Sequence, residues 1–273
     1  MKVVRTIAGV RDELAAARRD AKTIGLVPTM GAFHEGHLSL IRASVAECDV
    51  TVVSLFVNPT QFGATEDLSR YPRDEARDVA LADAEGVDLV FAPPVEEMYP
   101  AGFDTAVEVG ELSTVLEGAV RPGHFRGVST VCTKLFHVVG PSLAYFGRKD
   151  AQQVAVIKAL VRDLDLPLAI RVLPIVRDAD GLALSSRNAY LSADERRRAL
   201  ALPHALEAGL AACRAGGGAD GALDAARTVL SAAEGIAVDY AALADLDGLT
   251  LAAAIRVGST RLIDNVLLEE EAR

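Results

Sequence analysis

The chain has 273 residues, 51% hydrophobic and 24% charged, with a formal net charge of −10. That length can bury a real core and predicts one larger and one smaller domain, while the acidic balance argues against a broad nucleic-acid surface without excluding a local basic pocket for a nucleotide. Cys48, Cys132 and Cys213 lie far apart with no C-x-x-C pair, so neither a disulfide framework nor a zinc knuckle is indicated, and no apolar run approaches the ~18 residues of a membrane span; the expected setting is cytoplasmic, with no membrane partner.

Residues 11 to 20 read as a charged, Ala-rich surface helix ahead of the first central strand. That strand, with Ile24, Leu26 and Val27, is expected to stop at Pro28 and to pass through Gly31 into an amphipathic run from Leu38 to Cys48. Asp49 to Val57 is apolar on both faces and predicts a buried strand. The loop Asn58-Pro59-Thr60-Gln61-Phe62-Gly63 then hangs off a carboxyl strand end, where open α/β sheets place ligands. A helix over Asp74 to Glu85 leads to a strand at Val87 to Ala92 and a break at Pro93-Pro94. Residues 95 to 128 read as irregular, with a short strand near Ala106 to Val109 and a loop, RPGHFRG, from Arg121 to Gly127. Helix Ser129 to Val139, strand Ser142 to Phe146 and strand Leu168 to Val176 complete a βαβ rhythm, which predicts an α/β, Rossmann-like, doubly wound parallel sheet over residues 1–176. Residues 177–273, with Ala-rich helices at 193 to 214 and 221 to 234, a GGGADG connector and strands near Val238 to Ala242 and Thr260 to Leu268, read as a small C-terminal α+β domain. Arg196-Arg197-Arg198 reads as an exposed helix face and Glu269-Glu270-Glu271 as a solvated end.

Two stretches carry chemistry. In GLVPTMGAFHEGH, from Gly25 to His37, a strand, a glycine turn and a helix start aim backbone N–H groups and the positive end of a helix dipole at one point, a ready phosphate site. His34 and His37 are three apart and share a helix face, with Gly36 leaving room for a ligand. Metalloprotease zinc needs His-Glu-x-x-His, and Glu35 at this spacing cannot serve in the same way. The second stretch, Gly147-Arg148-Lys149-Asp150, repeats the logic and adds a cation that reaches a phosphate as a point charge, or else forms a solvated turn.

The segments PTMGAFHEGH, FVNPTQFG, YPRD, RPGHFRGV, FGRKDAQQ and LSSRN, in this order, resemble the pantothenate synthetase (pantoate–β-alanine ligase) family, within the nucleotidylyltransferases that share His-x-Gly-His with class I aminoacyl-tRNA synthetases. The resemblance runs from Pro28 to the terminal TRLIDNVLLE, and Leu184 departs from it by standing where the family usually has Met. It implies a two-step ligation: pantoate and ATP give pantoyl adenylate and pyrophosphate, and the β-alanine amine then displaces AMP. By resemblance, Met30, Gly31, Ala32, Phe33, His34, Glu35, Gly36 and His37, with Gly147, Arg148, Lys149 and Asp150, hold ATP, and His37 donates a proton. Val176 contacts the nucleotide, and Leu184, Ser185, Ser186 and Arg187 form the mobile counterpart of the synthetase KMSKS loop. Gln61 is expected to touch pantoate and β-alanine, and Gln153 pantoate, with Asn58 assisting; amides suit this because they offer donors and an acceptor without competing for the proton. His34, His37, Lys149 and Arg187 are the expected donors to developing negative charge. Mg²⁺ is expected with ATP, with Asp78 a candidate ligand or water holder and no tightly bound organic cofactor. The family also implies a homodimer. The 177 to 188 loop and the stretch from Gly63 to Asp74 are candidate lids. A nucleotidyltransferase that stops at nucleotide transfer and a non-catalytic nucleotide-binding module are the alternatives.

Overall fold

Runs of β-branched and aliphatic residues bounded by turns make the strands of the larger sheet. In the computed structural model, which describes residues 1–63 and 66–268, β1 (Lys2–Val4), β2 (Ile24–Thr29), β3 (Val50–Leu55), β4 (Leu89–Phe91), β5 (Leu143–Gly147) and β6 (Ala169–Leu173) form a six-stranded parallel sheet in the order β1-β4-β3-β2-β5-β6. Its helices are α1 (Ile7–Arg19), α2 (Glu35–Glu47), α3 (Glu75–Ala84), α4 (Val95–Met98), α5 (Glu117–Val120), α6 (His124–Val139) and α7 (Ala151–Asp163). Val27, Val53 and Val90 stand in register across three strands and pack on Leu40 and Ile41 of α2 and Ala82 of α3. Their neighbours Leu26, Val52 and Leu89 point to the other face and are equally buried. Removing each such side chain from water contributes about 1.5–3 kcal/mol. Both faces are therefore committed to the core.

From β2 the chain steps to β3 and β4 on one side, and β5 and β6 lie on the other. The order reverses between β2 and β5, so the carboxyl ends of these two strands, at Thr29 and Gly147, border the crevice where such sheets bind ligands.

The chain divides into two compact units, the first Met1–Gly147 with Ala155–Leu173 and the second Arg148–Val154 with Pro174–Arg273. In the second, β7 (Ala237–Asp245), β8 (Leu249–Val257) and β9 (Thr260–Leu267) form an antiparallel sheet. It is accompanied by α8 (Ala193–Ala199), α9 (Ala201–Ala212) and α10 (Gly218–Ala232). Leu202, Leu206, Leu230, Leu251, Ile255 and Leu262 make its core.

Several local expectations change. β2 runs through Pro28 to Thr29: Pro28 shares with Ile24 the side that faces β5, pairing with β5 ends at Leu26, and so the missing N–H leaves no ladder bond open. Helix α6 begins at His124, five residues before the expected start, with Gly123 in the left-handed region at its cap (φ 83°). Residues 106–109 form no strand; the Val107 N–H is satisfied by Thr130 Oγ1 (2.9 Å). The strands Lys2–Val4 and Leu249–Val257 were not expected from the sequence. Arg196 is no mere solvated face, since it bridges Asp178 and Asp180 (2.6 and 2.8 Å). The Glu269-Glu270-Glu271 end lies outside the described residues. No helix among the described residues is long and apolar enough to cross a membrane.

Candidate active site

Beyond β2 the backbone turns back through two successive left-handed residues, Gly31 (φ 86°) and Ala32 (φ 53°). Asp78 on α3 holds this turn: its carboxylate, buried to 1% exposure, accepts from Ala32 N–H (2.7 Å) and Phe33 N–H (2.8 Å). A Cβ on Gly31 would lie 2.9 Å from the same carboxylate, so glycine is required by space as well as by φ. Arg77 adds a bond to the Phe33 carbonyl (3.1 Å). Both Asp78 oxygens are thus engaged by backbone, which does not fit the metal ligand expected from the sequence. Ala32 and Phe33 likewise give their N–H groups to Asp78, and the Phe33 ring lies in the core, so neither is disposed to grip ATP as expected.

His34 follows in extended conformation as the N-cap of α2, a helix of 13 residues. Its N–H donates to His37 Nδ1 (3.4 Å), and the two rings lie in contact, tilted by 40° with centroids 4.2 Å apart. With Nδ1 accepting, the neutral His37 ring carries its proton on Nε2, the form suited to donating toward a phosphate oxygen. The first N–H groups of α2 have no acceptor within the helix and add their dipole at the same place. Gly36 makes room chiefly for the His34 ring, which a Cβ there would approach to 3.0 Å. Glu35 is exposed and pairs with Arg42, which also holds Glu85 (2.6 Å), so its side chain belongs to the outer face of α2.

A second group of residues is built around Gln61. After β3 a single 3-10 turn, Pro59–Gln61, is capped by Asn58. The Asn58 amide donates to Gln61 Oε1 and the Gly127 carbonyl (both 3.1 Å), while its Oδ1 accepts from Tyr99 OH (2.8 Å) and Thr60 Oγ1 (2.9 Å). Asn58, 1% exposed, is therefore spent on orienting Gln61 rather than reaching substrate as expected. Gln61 Nε2 points at Met30 Sδ (3.1 Å), a weak acceptor that a carboxylate or hydroxyl can displace. The Gln61 backbone carbonyl accepts from His124 Nδ1 (2.9 Å), and His124 Nε2 in turn accepts from Arg121 Nη1 (3.1 Å). Arg121 is held by Glu66 (2.7 and 2.8 Å). Burial, reinforced by the Arg121 charge, pushes the His124 imidazole down to about 4, so it is neutral and its tautomer is fixed by these two bonds. Gly127 lets α6 lie directly on the turn: a Cβ there would stand 2.4 Å from the Thr60 carbonyl oxygen and 2.6 Å from Gln61 N. From the sequence, RPGHFRG reads as a loop and part of a matching segment; Tyr99, Arg121, His124 and Gly127 emerge as supports through bonds spanning about forty to seventy residues that no spacing rule reveals.

In the second unit, Lys149 and Asp150 pair (3.4 Å) and Arg148 is tied to Asp247 (3.1 Å). Both Arg148 and Lys149 offer their carbonyls to Asn265 Nδ2 (2.9 and 3.0 Å). Gln152 is buried in the first turn of α7 and Gln153 half-buried beside it. The 177 to 188 segment is a hairpin rather than an open loop: Asp178 N–H bonds the Leu182 carbonyl (2.9 Å), Leu184 N–H bonds the Val176 carbonyl (3.0 Å), and Gly181 takes φ 89° at the turn. Leu182 is buried in the second core and Ala183 is buried beside it in the chain. Ser185 then caps a short 3-10 turn, Ser186–Tyr190, that carries Arg187, and Asn188 Nδ2 returns to the Ala183 carbonyl (3.0 Å). Among the described residues no three His, Cys, Asp or Glu side chains gather as a metal site.

Comparison with known proteins agrees with this architecture. The family model described as pantoate-beta-alanine ligase matches residues 2–267. Pantothenate synthetase of Moorella thermoacetica is 54% identical, with 98% of this chain and 99% of that protein covered. The crystal structure of pantothenate synthetase from Thermus thermophilus superposes with TM-score 0.93 at 46% identity, covering 99% of this chain and all (100%) of the other. Pantoate-beta-alanine ligase from Francisella tularensis, solved in complex with beta-gamma ATP and beta-alanine, gives TM-score 0.84 at 34% identity over 99% and 98% of the two chains. A match that spans nearly the full length in sequence and in fold leaves one assignment: the chain belongs to the pantoate-beta-alanine ligase family.

Proposed function

We propose that this chain, an ATP-using ligase of pantoate and β-alanine, works through a pantoyl adenylate. A pantoate carboxylate oxygen attacks the α-phosphorus of ATP and forms an O–P bond as the bond to pyrophosphate breaks. The neutral amine of β-alanine then attacks the acyl carbon, forms the amide C–N bond, expels AMP with one former carboxylate oxygen and loses a proton. Two anions meet in the first step, so donors aimed at the phosphates supply most of the barrier reduction. His37 Nε2–H, His34, the first N–H groups of α2, Lys149 and Arg187 take that role. Gln61, with its oxygen held by Asn58, turns its Nε2 donors to pantoate and then to β-alanine, and Gln153 contributes a second amide to pantoate. Residues 1–176 act as the nucleotide-binding and catalytic domain, with Met30, Gly31, Gly36 and Gly147 at the phosphates and Val176 at the nucleotide. Residues 177–273 carry Leu184 to Arg187, the counterpart of the synthetase KMSKS loop. Asp78 serves as the anchor of the His34 loop, and Mg²⁺ comes with ATP, held by its phosphate oxygens. A homodimer is the proposed assembly, tested by sedimentation.

The observation that carries this reading is the His34–His37 pair at a helix start beside a strand-order reversal, with the Gln61 amide turned toward Met30 of the same loop. Pyrophosphate exchange into ATP is the test. It should require pantoate, and AMP should accumulate beyond one equivalent only when β-alanine is added. Exchange without pantoate would favour a nucleotidyltransferase, and ATP binding without any exchange a binding module.

A further inference from the structure

Two segments of the second unit that the proposed reaction uses, the Arg148–Asp150 turn with Lys149 and the hairpin that leads to Arg187, are anchored on consecutive residues of one strand. On β9, Asp264 pairs across to Ala253 and Asn265 to Ala252, so their side chains leave opposite faces of the sheet. Asp264 grips Arg177, at the root of the hairpin, through two bonds (2.6 and 2.9 Å), and the same guanidinium bonds the Gly181 carbonyl at the hairpin tip (3.0 Å). Asn265 Nδ2 donates to the Arg148 and Lys149 carbonyls (2.9 and 3.0 Å). Both residues are buried, to 2% and 3% exposure, in a sheet whose other buried positions are apolar apart from the two threonines Thr250 and Thr260. Burying a carboxylate and an amide in such a sheet is costly unless they are fully bonded, and apolar residues of similar size would serve stability as well or better. What the pair provides instead is a common frame: the hairpin and the Lys149 turn are referred to the same strand, one from each face.

We propose that Asp264 and Asn265 are positioning residues for adenylate formation, acting through the hairpin and through Lys149 respectively. The inference rests on the proposed role of Lys149 and Arg187, and the test separates the two. Asn265→Leu removes both carbonyl bonds at similar volume, and Asn265→Ser restores one donor. Pantoate-dependent pyrophosphate exchange is measured for each, with melting followed by circular dichroism, and each is combined with Lys149→Ala. Asn265→Leu should slow exchange by about tenfold to a hundredfold through kcat, the scale of a displaced catalytic group, with ATP KM nearly unchanged and Asn265→Ser between it and the parent. The double variant Asn265→Leu/Lys149→Ala should be no slower than Lys149→Ala alone, because a residue that acts only through Lys149 has nothing left to position. Asp264→Asn combined with Arg187→Ala should behave the same way. Unchanged exchange in Asn265→Leu, or losses that multiply in the double variants, overturns the inference, as does a loss that merely follows melting in both Asn265 variants. Near-normal exchange in Lys149→Ala alone overturns the underlying assignment of Lys149, whatever Asn265→Leu does.

Discussion

Gly127→Ala tests whether placement of the Gln61 turn governs use of the acid substrate. The added Cβ would lie 2.4 Å from the Thr60 carbonyl oxygen, 2.5 Å from its carbon and 2.6 Å from Gln61 N, all backbone atoms that cannot rotate away. Ordinary contact begins near 3.4 Å, so α6 and the turn must separate by about 1 Å, enough to stretch the bonds that tie Asn58 Nδ2 to the Gly127 carbonyl and His124 to the Gln61 carbonyl (3.1 and 2.9 Å). Overpacking of this kind costs about 1–3 kcal/mol of stability. A displacement of about 1 Å in a substrate-positioning group costs about a hundredfold in rate. The assay is pyrophosphate exchange titrated separately with pantoate and with ATP, beside a thermal melt. Pantoate-limited kcat/KM should fall by about a hundredfold while the ATP KM moves little. Parent-like exchange at parent-like melting temperature would show that the backbone contact does not hold Gln61 in place.

Other expectations follow from the same geometry. His37→Ala and Lys149→Ala should each lower kcat by roughly a hundredfold with the fold intact by circular dichroism, the usual scale for losing a transition-state donor; near-normal turnover would remove that residue from the mechanism. Gln61→Ala should impair pantoate and β-alanine use more than ATP binding, and equal loss of ATP affinity in calorimetry would contradict its placement. His124 titrates at about 4 in the folded chain, from burial and then the Arg121 charge, against 6.5 as its ordinary value. The unfolded state therefore binds the extra proton between those limits, and acidification should cost stability progressively from pH ~6.5 to ~4, about 3 kcal/mol in all; the loss is absent above that window and stops growing below it. A denaturant series over that range should show a correspondingly smaller pH dependence in His124→Asn, which retains a donor toward Gln61 without the titration. Asp78→Asn should weaken the His34 loop and raise the ATP KM without changing the Mg²⁺ concentration needed for half-maximal rate; a shifted Mg²⁺ requirement would return Asp78 to the metal.

The sheet was legible because its strands are short apolar runs closed by turns, and those runs alternate with helical patterns. What the pattern hid has identifiable causes. Leu249–Val257 reads LTLAAAIRV, and its alanines favour helix while burial on both faces erases the alternation that marks a strand. Ala106 to Val109 carries strand-like residues, yet among the described residues no strand pairs with it, and its Val107 N–H goes to a side chain instead. Arg-Pro-Gly suggested a loop through Gly127, but Gly123 caps the helix and leaves His124 and Gly127 on it. The division of labour inside the motif segments was not legible. Whether Asp78 meets a metal or two backbone N–H groups, and whether Asn58 meets a substrate or Gln61, depends on partners supplied by chain tens of residues away.

In the proposed mechanism the pantoate carboxylate is activated by attack on the α-phosphorus of ATP with loss of pyrophosphate. Pantoate labelled with heavy oxygen in its carboxylate, turned over with ATP and β-alanine and followed by mass spectrometry of the products, tests this most directly. Passage through the adenylate puts one labelled oxygen in AMP and none in pyrophosphate. Label in pyrophosphate or inorganic phosphate, or unlabelled AMP, would contradict it.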